Sequence, residues 1–477
     1  MPRPLFTSIC GELGVKKSPE EQKILHIRGM NRSTNLLFSD KELLNQNFLR
    51  TDLGELYQAI PFAALAEKIP PPKHARSGRG RKPWFTVEGG IALQFLKHYL
   101  NLSDELLVER INTDWSMQIF CGLSLGPTDR IEDKNIVGIW RAYLGKHMDI
   151  EGLQKVFAQH WKPHMEQTNI GSQDATCYES GIRYPTDIKL LWECCEKVYT
   201  ILQRERKRIG IRSSRCNIEK KNKLYLEYQK RRKKSKRQEK KLRKYLLKFL
   251  FRLMKLHNEF SHKHEAVLSK RKQKLFTVIE KVYEQQHQRA YGPSDEPIKD
   301  RIVSLFKPYV RPIVRGKETK PVEFGAKVNK LQVDGISFIE HMSFDNFNET
   351  TRYQEGIYLQ RKLFGKCTHQ SADAIYATNK NRKYASSQGI QTNFVPKGKQ
   401  KPEYTEQSGQ IRKILNKQRS TVLEGSFGNE KNHYLLQKSR ARTKPTDICW
   451  IFFGMMTANA SIIAQRIEKQ KQQRQAS

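Results

Sequence analysis

The stretch Asp174-Ala-Thr-Cys-Tyr-Glu-Ser180, continued by Gly181-Ile-Arg-Tyr-Pro185, is where the chain turns from helical to strand-like patterning. Thr, Cys and Tyr suit a pleated, half-buried surface, and Gly181 and Pro185 punctuate the run. Ahead of it, residues 30–165 carry helical periodicity. Thr86 reads as an N-cap for an apolar face that includes Val87, Ile91, Phe95 and Leu96. Ser103, Asp104 and Glu105 open a second helix after a tight Asn101-Leu102 connection, giving a hairpin or helix-turn-helix pair. A further helix pair is expected between Lys134 and Lys162.

Downstream, residues 321–344 return to strands. Val322–Val328 and Leu331–Val333 lead through an Asp334-Gly335 turn into Ile336–Ile339, which is a hairpin signal. A helix over Thr351–Leu363, a strand over Thr368–Ala372 ending at Asp373, a helix over Asn381–Ser387 and a strand over Ile390–Val395 follow. Arg419–Lys438 and Asp447–Gln465 read as helices. The alternation predicts an α/β core with a mixed sheet and helices on its faces.

A long insertion separates the two strand regions. Between Gly210 and Gly292 there is neither Gly nor Pro, so helices are expected throughout. From Lys230 to Lys244, eleven of fifteen residues are Lys or Arg, including Arg231, Arg232, Lys233 and Lys234. Two readings compete there: contact with a DNA backbone, or a solvated helix face. A second basic segment, Arg76–Lys82, contains Arg79, Arg81 and Lys82 and reads as an arm for a minor groove or as a basic linker. The expected order is an N-terminal extension over 1–29, an all-α domain over 30–165, an α/β domain over 166–465 interrupted at about 190–300, and a basic polar tail over 466–477.

Charge points to the partner. The chain has 477 residues, with 87 Lys and Arg against 49 Asp and Glu, for a formal charge of +38. Self-repulsion of that size disfavours a compact state unless a polyanion offsets it. A nucleic-acid backbone does so while releasing counterions. Hydrophobic residues make up 37%, enough for real cores, which excludes a disordered basic tail. The eight cysteines form no CxxC and have no His at zinc-finger spacing, so free buried thiols in a reducing cytoplasm are expected. The chain opens on no charged-then-apolar pattern, so no secretory signal is expected. The apolar run Ile448–Ala464 contains Thr457, Asn459 and Ser461 and reads as a core helix, so no membrane is expected.

Breaking a phosphodiester needs an activated oxygen nucleophile and relief of charge on the leaving oxygen. Two divalent ions ~4 Å apart supply both. Hard cations take oxygen ligands, so carboxylates at strand ends and on a facing helix are the groups to seek. Asp174, Asp373 and Glu424 have such settings, yet spacing alone does not select them from 49 acids. Asp334 competes, but Asp-Gly after a strand reads as a hairpin turn.

Four ordered segments make the selection: DATCYESGIRYPTD (174–187), VEFGAKVNKLQVDGISFIE (322–340), DAIYATNKNR (373–382) and EGSFGNEKNHY (424–434). Together with the helical region around 80–122, they resemble bacterial insertion-sequence DDE transposases with an InsH-like N-terminal domain. The resemblance implies a ribonuclease H-like fold for the catalytic domain over 166–465, preceded by an all-α DNA-binding domain over 30–165. It places the catalytic, metal-holding acids at Asp174 on the first strand, Asp373 after the fourth and Glu424 on a following helix. It also implies two Mg²⁺ ions, with Mn²⁺ able to substitute. The family's basic residue two turns past the Glu matches Lys431. Its Arg four residues before the Glu falls on Ser420, with Arg419 one position earlier. The implied activity is binding of terminal inverted repeats, then strand cleavage and strand transfer. The implied partners are double-stranded DNA (transposon ends and target) and a second copy, as a homodimer in a bacterial cytoplasm at the nucleoid. The rival readings are a catalytically silent domesticated DNA-binding protein and a metal-dependent nuclease without strand transfer.

Overall fold

The computed structural model describes residues 38–72, 83–212, 216–265, 268–293, 296–314, 321–398 and 402–476. The chain divides into two compact units, residues 1–140 with 463–477, and residues 141–462.

The first unit is helical. It contains α1 (Phe38–Leu49), α2 (Asp52–Gln58), α3 (Phe62–Ala66), α4 (Val87–Tyr99), α5 (Asp104–Ile111) and α6 (Trp115–Phe120), followed by the start of α7 (Ile136–His147). The expected caps form: Thr86 Oγ1 accepts from Gly89 N at 3.3 Å and Ser103 Oγ from Leu106 N at 3.1 Å. Asn101 closes the α4–α5 connection with φ +52°, a left-handed conformation that Asn tolerates. Buried Lys97 locks that hairpin by pairing with Asp104 at 3.0 Å. Residues Gly89 to His98 of α4 are all buried, so the helix is wrapped on every side rather than along one face. Tyr57, Phe62, Phe95 and Phe120 meet largely edge-to-face in its surroundings.

The second unit opens with the remainder of α7 and α8 (Ile150–Trp161), then β1 (Ile170–Ser180). Its inserted helices are α9 (Asp187–Arg208), α10 (Ile218–Lys230), α11 (Lys236–Lys263) and α12 (Lys270–Tyr291). They enclose their own core, which includes Trp192, Cys195, Leu246, Leu250, Ile279 and Val282. Buried Asp187 ties this bundle together, pairing with Arg301 at 2.9 Å, Arg243 at 3.4 Å and Arg289. Burial alone would raise its pKa, but these arginines carry it below the usual carboxylate value.

The sheet follows, with β2 (Pro312–Val314), β3 (Val322–Val333) and β4 (Ile336–Ser343), then α13 (Tyr353–Phe364), β5 (His369–Ala372), α14 (Asn379–Ser387) and β6 (Gln391–Thr392). The chain continues through α15 (Pro402–Gln418), a π turn over Arg419–Leu423, α16 (Glu424–His433), β7 (Lys438–Ser439) and α17 (Lys444–Ala476). The main strand order is β4-β3-β1-β5-β6, with β2 on the start of β3 and β7 on the end of β1. β1 is antiparallel to β3 and parallel to β5 and β7. β3 and β4 form the expected hairpin, with Asp334 at φ +49° and Gly335 at φ +77° in its turn. The predicted strand over Ile390–Val395 shrinks to the two residues of β6.

Two helices finish the outer edge of β4, which would otherwise present unpaired backbone. Gln154 of α8 accepts from Ile339 N at 2.6 Å and donates to Ile339 O at 3.0 Å. Asn459 of α17 does the same for Ser337, at 2.9 and 2.7 Å. The polar interruption in the apolar run Ile448–Ala464 thus serves a strand edge. α17 is long and apolar enough to cross a bilayer, but 83% of its apolar window is buried in the protein, as in a core helix. The helix runs on to Ala476, where composition alone reads as a polar tail. All seven described cysteines are buried thiols.

Candidate active site on β1

The site begins at a parting of strands. β3 covers one edge of β1 from Gly171 to Glu179, so β5 and β7 share the other edge. β5 pairs it only from Ile170 to Gln173, and β7 only at Glu179 and Ser180. Asp174 stands at the first position where that edge opens. The parallel register Gln173↔Ala372 brings Asp373, the residue after β5, level with Asp174. Such a fork at the carboxyl ends of parallel strands is where α/β sheets place ligands.

Asp373 turns back to accept from Ala374 N, which begins a short 3-10 turn. Asp174 is mostly buried, its side chain 16% exposed. Burial pushes its pKa up to about 6, and the Asp373 and Glu349 carboxylates push the same way. The Ala175 N–H, at 2.7 Å, and Arg419 pull it back. Two carboxylates this close favour a shared proton or a bound cation.

Glu424 arrives from the other side of the gap. Arg419 Nη1 lies 3.2 Å from Asp174 Oδ2 and 3.2 Å from Glu424 Oε1, so one guanidinium joins the strand acid to the helix acid. Arg419 begins the π turn, in which hydrogen bonds span five residues instead of four. Arg419 is five residues ahead of Glu424, and the wider turn brings the two into register. The local sequence explains the turn. Thr421 Oγ1 donates to Lys417 O at 2.6 Å and Ser420 Oγ to the same oxygen at 3.2 Å. Hydroxyl bonds back to the preceding turn bend a helix, and here they accompany its change of pitch.

A buried network holds α16 onto the sheet. Lys330 of β3, opposite Asp174 in register, is fully buried and pairs with Glu430 at 2.6 Å. It also donates to Ser426 Oγ at 2.7 Å and stands over the Phe427 ring at 4.5 Å. Tyr178 of β1 donates to the other Glu430 oxygen. Burial lowers the Lys330 pKa, and Glu430 opposes that shift. Lys431, next in the helix, donates to Thr176 Oγ1 at 3.0 Å. Its ammonium lies along β1, two residues beyond Asp174. Sequence reasoning missed Lys330, Glu430 and Tyr178; a lysine inside an apolar strand was the available signal, since a buried charge demands a partner.

Asp174, Lys431 and the Arg419–Glu424 pair therefore lie along one stretch of β1, with Asp373 level with Asp174 on the neighbouring strand. Among the described residues, no three His, Cys, Asp or Glu side chains stand close enough to share an ion. The donor chemistry nonetheless fits a hard divalent cation: oxygen ligands, partial burial and a resident cation, Arg419, already bridging two of the acids. A Cβ at Gly425 or Gly428 would meet nothing within 4 Å, so these glycines leave the exposed side of α16 bare instead of easing its packing. Asp334 faces away from this chemistry, accepting from Glu166 N at 3.0 Å in its turn. Arg231, Arg232, Lys233 and Lys234 form the exposed connection between α10 and α11. Arg243 of the same basic run is instead buried against Asp187, so the run is only partly a solvated face. Arg79, Arg81, Lys82 and residues 1–29 lie outside the described residues.

Residues 40–142 match the family model described as "Transposase domain (DUF772)". The match supports a transposase family and, with it, DNA as a partner. Comparison with curated proteins and with solved structures gives no significant match.

Proposed function

We propose that the protein is a DDE-type DNA transposase that binds terminal inverted repeats and carries out strand cleavage and strand transfer. The observation that carries this reading is the bridge from Asp174 through Arg419 to Glu424, with Asp373 level with Asp174 on the neighbouring strand. The transposase match over residues 40–142 supports it independently. So does the strand order β4-β3-β1-β5-β6, with β3 alone running antiparallel to the others, which is the order expected of a ribonuclease H-like core.

Asp174, Asp373 and Glu424 would hold two Mg²⁺ ions, or Mn²⁺. Such ions activate a water or a DNA 3′ hydroxyl and stabilise the leaving oxygen. Asp174 must lose its proton to serve, and Arg419 favours that loss. Lys330 and Glu430 fix the helix from which Glu424 projects. Lys431 sets a positive charge beside the acids, where it would steady a phosphate. The helical N-terminal unit would position the inverted repeat, mainly through its backbone. Two DNA ends call for two copies, so a homodimer in the bacterial cytoplasm, at the nucleoid, belongs to the same proposal.

The test is a cleavage and end-joining assay on labelled inverted-repeat DNA with Mg²⁺. Asp373→Asn is expected to abolish both products while leaving repeat binding intact. Cleavage by Asp373→Asn at the wild-type rate would remove these acids from the chemistry.

A further inference from the structure

Past the carboxylates, β1 ends at Ser180 beside a cleft of about 1400 Å³ that the proposed chemistry does not use. At ~3.3 Å per strand residue, its edge at Gly181 lies about 23 Å from Asp174. Lys189, Lys197 and Arg204 reach it from one face of α9, Arg271 and Lys274 from the start of α12, and Arg440 and Arg442 from the segment after β7. Among the described residues Glu193 is the one acid in the lining, and Arg183 pairs with it. The cleft therefore carries a large positive excess.

Two aromatic rings stand open among these cations: Tyr184 is 69% exposed and Phe306 is 59% exposed. Tyr184 is braced edge-on by Phe324 at 5.8 Å. The Lys197 ammonium sits 5.3 Å from the Phe306 ring centre. Charge alone would serve any polyanion. Open rings add something that a duplex cannot use, because its bases are already stacked inside. Unpaired bases on a phosphate backbone use both features: cations track the backbone and rings stack the bases.

We infer that this cleft binds single-stranded DNA, with bases stacking on Tyr184 and Phe306 and phosphates held by the surrounding lysines and arginines. The source of such a strand rests on the transposase reading, since cleavage and joining expose unpaired ends. The binding itself does not depend on catalysis.

Fluorescence anisotropy with the full chain, without divalent metal, tests this on labelled oligo-dT and on a blunt duplex of equal length and unrelated sequence. Tyr184→Ala with Phe306→Ala is expected to weaken oligo-dT binding about tenfold or more and to change duplex binding less than about twofold. Tyr184→Phe with Phe306→Tyr keeps both rings and is expected to retain oligo-dT affinity. The inference is overturned if the wild type does not bind oligo-dT. It is also overturned if the alanine pair leaves oligo-dT binding unchanged, or if it weakens both DNAs alike. A wild type that shows ring-dependent strand binding but no cleavage would sink the catalytic reading and leave the cleft standing.

Discussion

Removing Glu430 should release the helix that carries Glu424. The Lys330 ammonium is wholly inside the protein, and Glu430 is the carboxylate that neutralises it, 2.6 Å away. Breaking a buried pair by deleting one partner costs about 3–5 kcal/mol, because the surviving charge has neither water nor counter-ion. Ser426 and the Phe427 ring remain near Lys330, and they solvate an ammonium poorly compared with a carboxylate. Tyr178 loses its acceptor in the same stroke, for about 1 kcal/mol more. Glu430→Ala is therefore expected to lower stability by about 4–6 kcal/mol, a large share of the ~5–15 kcal/mol of a typical domain. Lys330→Met with Glu430→Leu removes both charges together and should recover most of that loss. Denaturant unfolding of the two variants, followed by tryptophan fluorescence, gives the comparison. A cost below about 1 kcal/mol for Glu430→Ala, or a double variant no better than the single one, would refute the account of a buried pair clamping α16 to β3.

Two further outcomes follow from the same site. Asp174 binds its proton more tightly folded, with a pKa of about 6, than unfolded, at ~3.9. The resulting stabilisation is complete below about pH 4 and is lost as pH rises through about 6, a change of roughly 2–3 kcal/mol. Unfolding midpoints across that range should show this slope in the wild type and lose it in Asp174→Asn; an unchanged slope would move the titration elsewhere. Deleting Thr421 should turn the π turn into α-helix and keep Arg419 facing Glu424 at the shorter spacing. Cleavage by that variant should stay near wild type, whereas Arg419→Ala, losing charge-assisted bonds of ~1.5–3 kcal/mol, should fall about tenfold or more. A deletion as damaging as the alanine would show that the turn does not set the register.

Much of the fold is legible because its elements carry local signals. Thr86 and Ser103 announce their helices, Asp334-Gly335 announces its hairpin, and the end of β5 delivers Asp373 where the pattern ends. What stays illegible is what depends on partners far away in sequence. β7 is two residues long and is a strand only because β1 stands beside it. Ile390–Val395 has strand composition, but only Gln391 and Thr392 meet β5. Asn459 looks like a flaw in an apolar helix until Ser337 is placed against it. Lys330 shows as a charge inside an apolar strand, but its partner does not show, because Glu430 lies 100 positions on.

Arg419 shows most plainly why spacing along the chain is a poor measure of facing in space. Counting residues supposes a constant pitch, and with an α-helical pitch it is Ser420, four residues ahead, that should face Glu424. The hydroxyls of Ser420 and Thr421 bond back to the Lys417 carbonyl, the helix widens to absorb one residue, and the arginine five positions ahead comes to face the acid instead. The hydroxyl pair that displaces the expected arginine from its position in the sequence is thus the same pair that restores it in the structure. On the proposed reading, the departure at Ser420 is then a change of helical pitch and not a loss of function, and Arg419 is the residue to test.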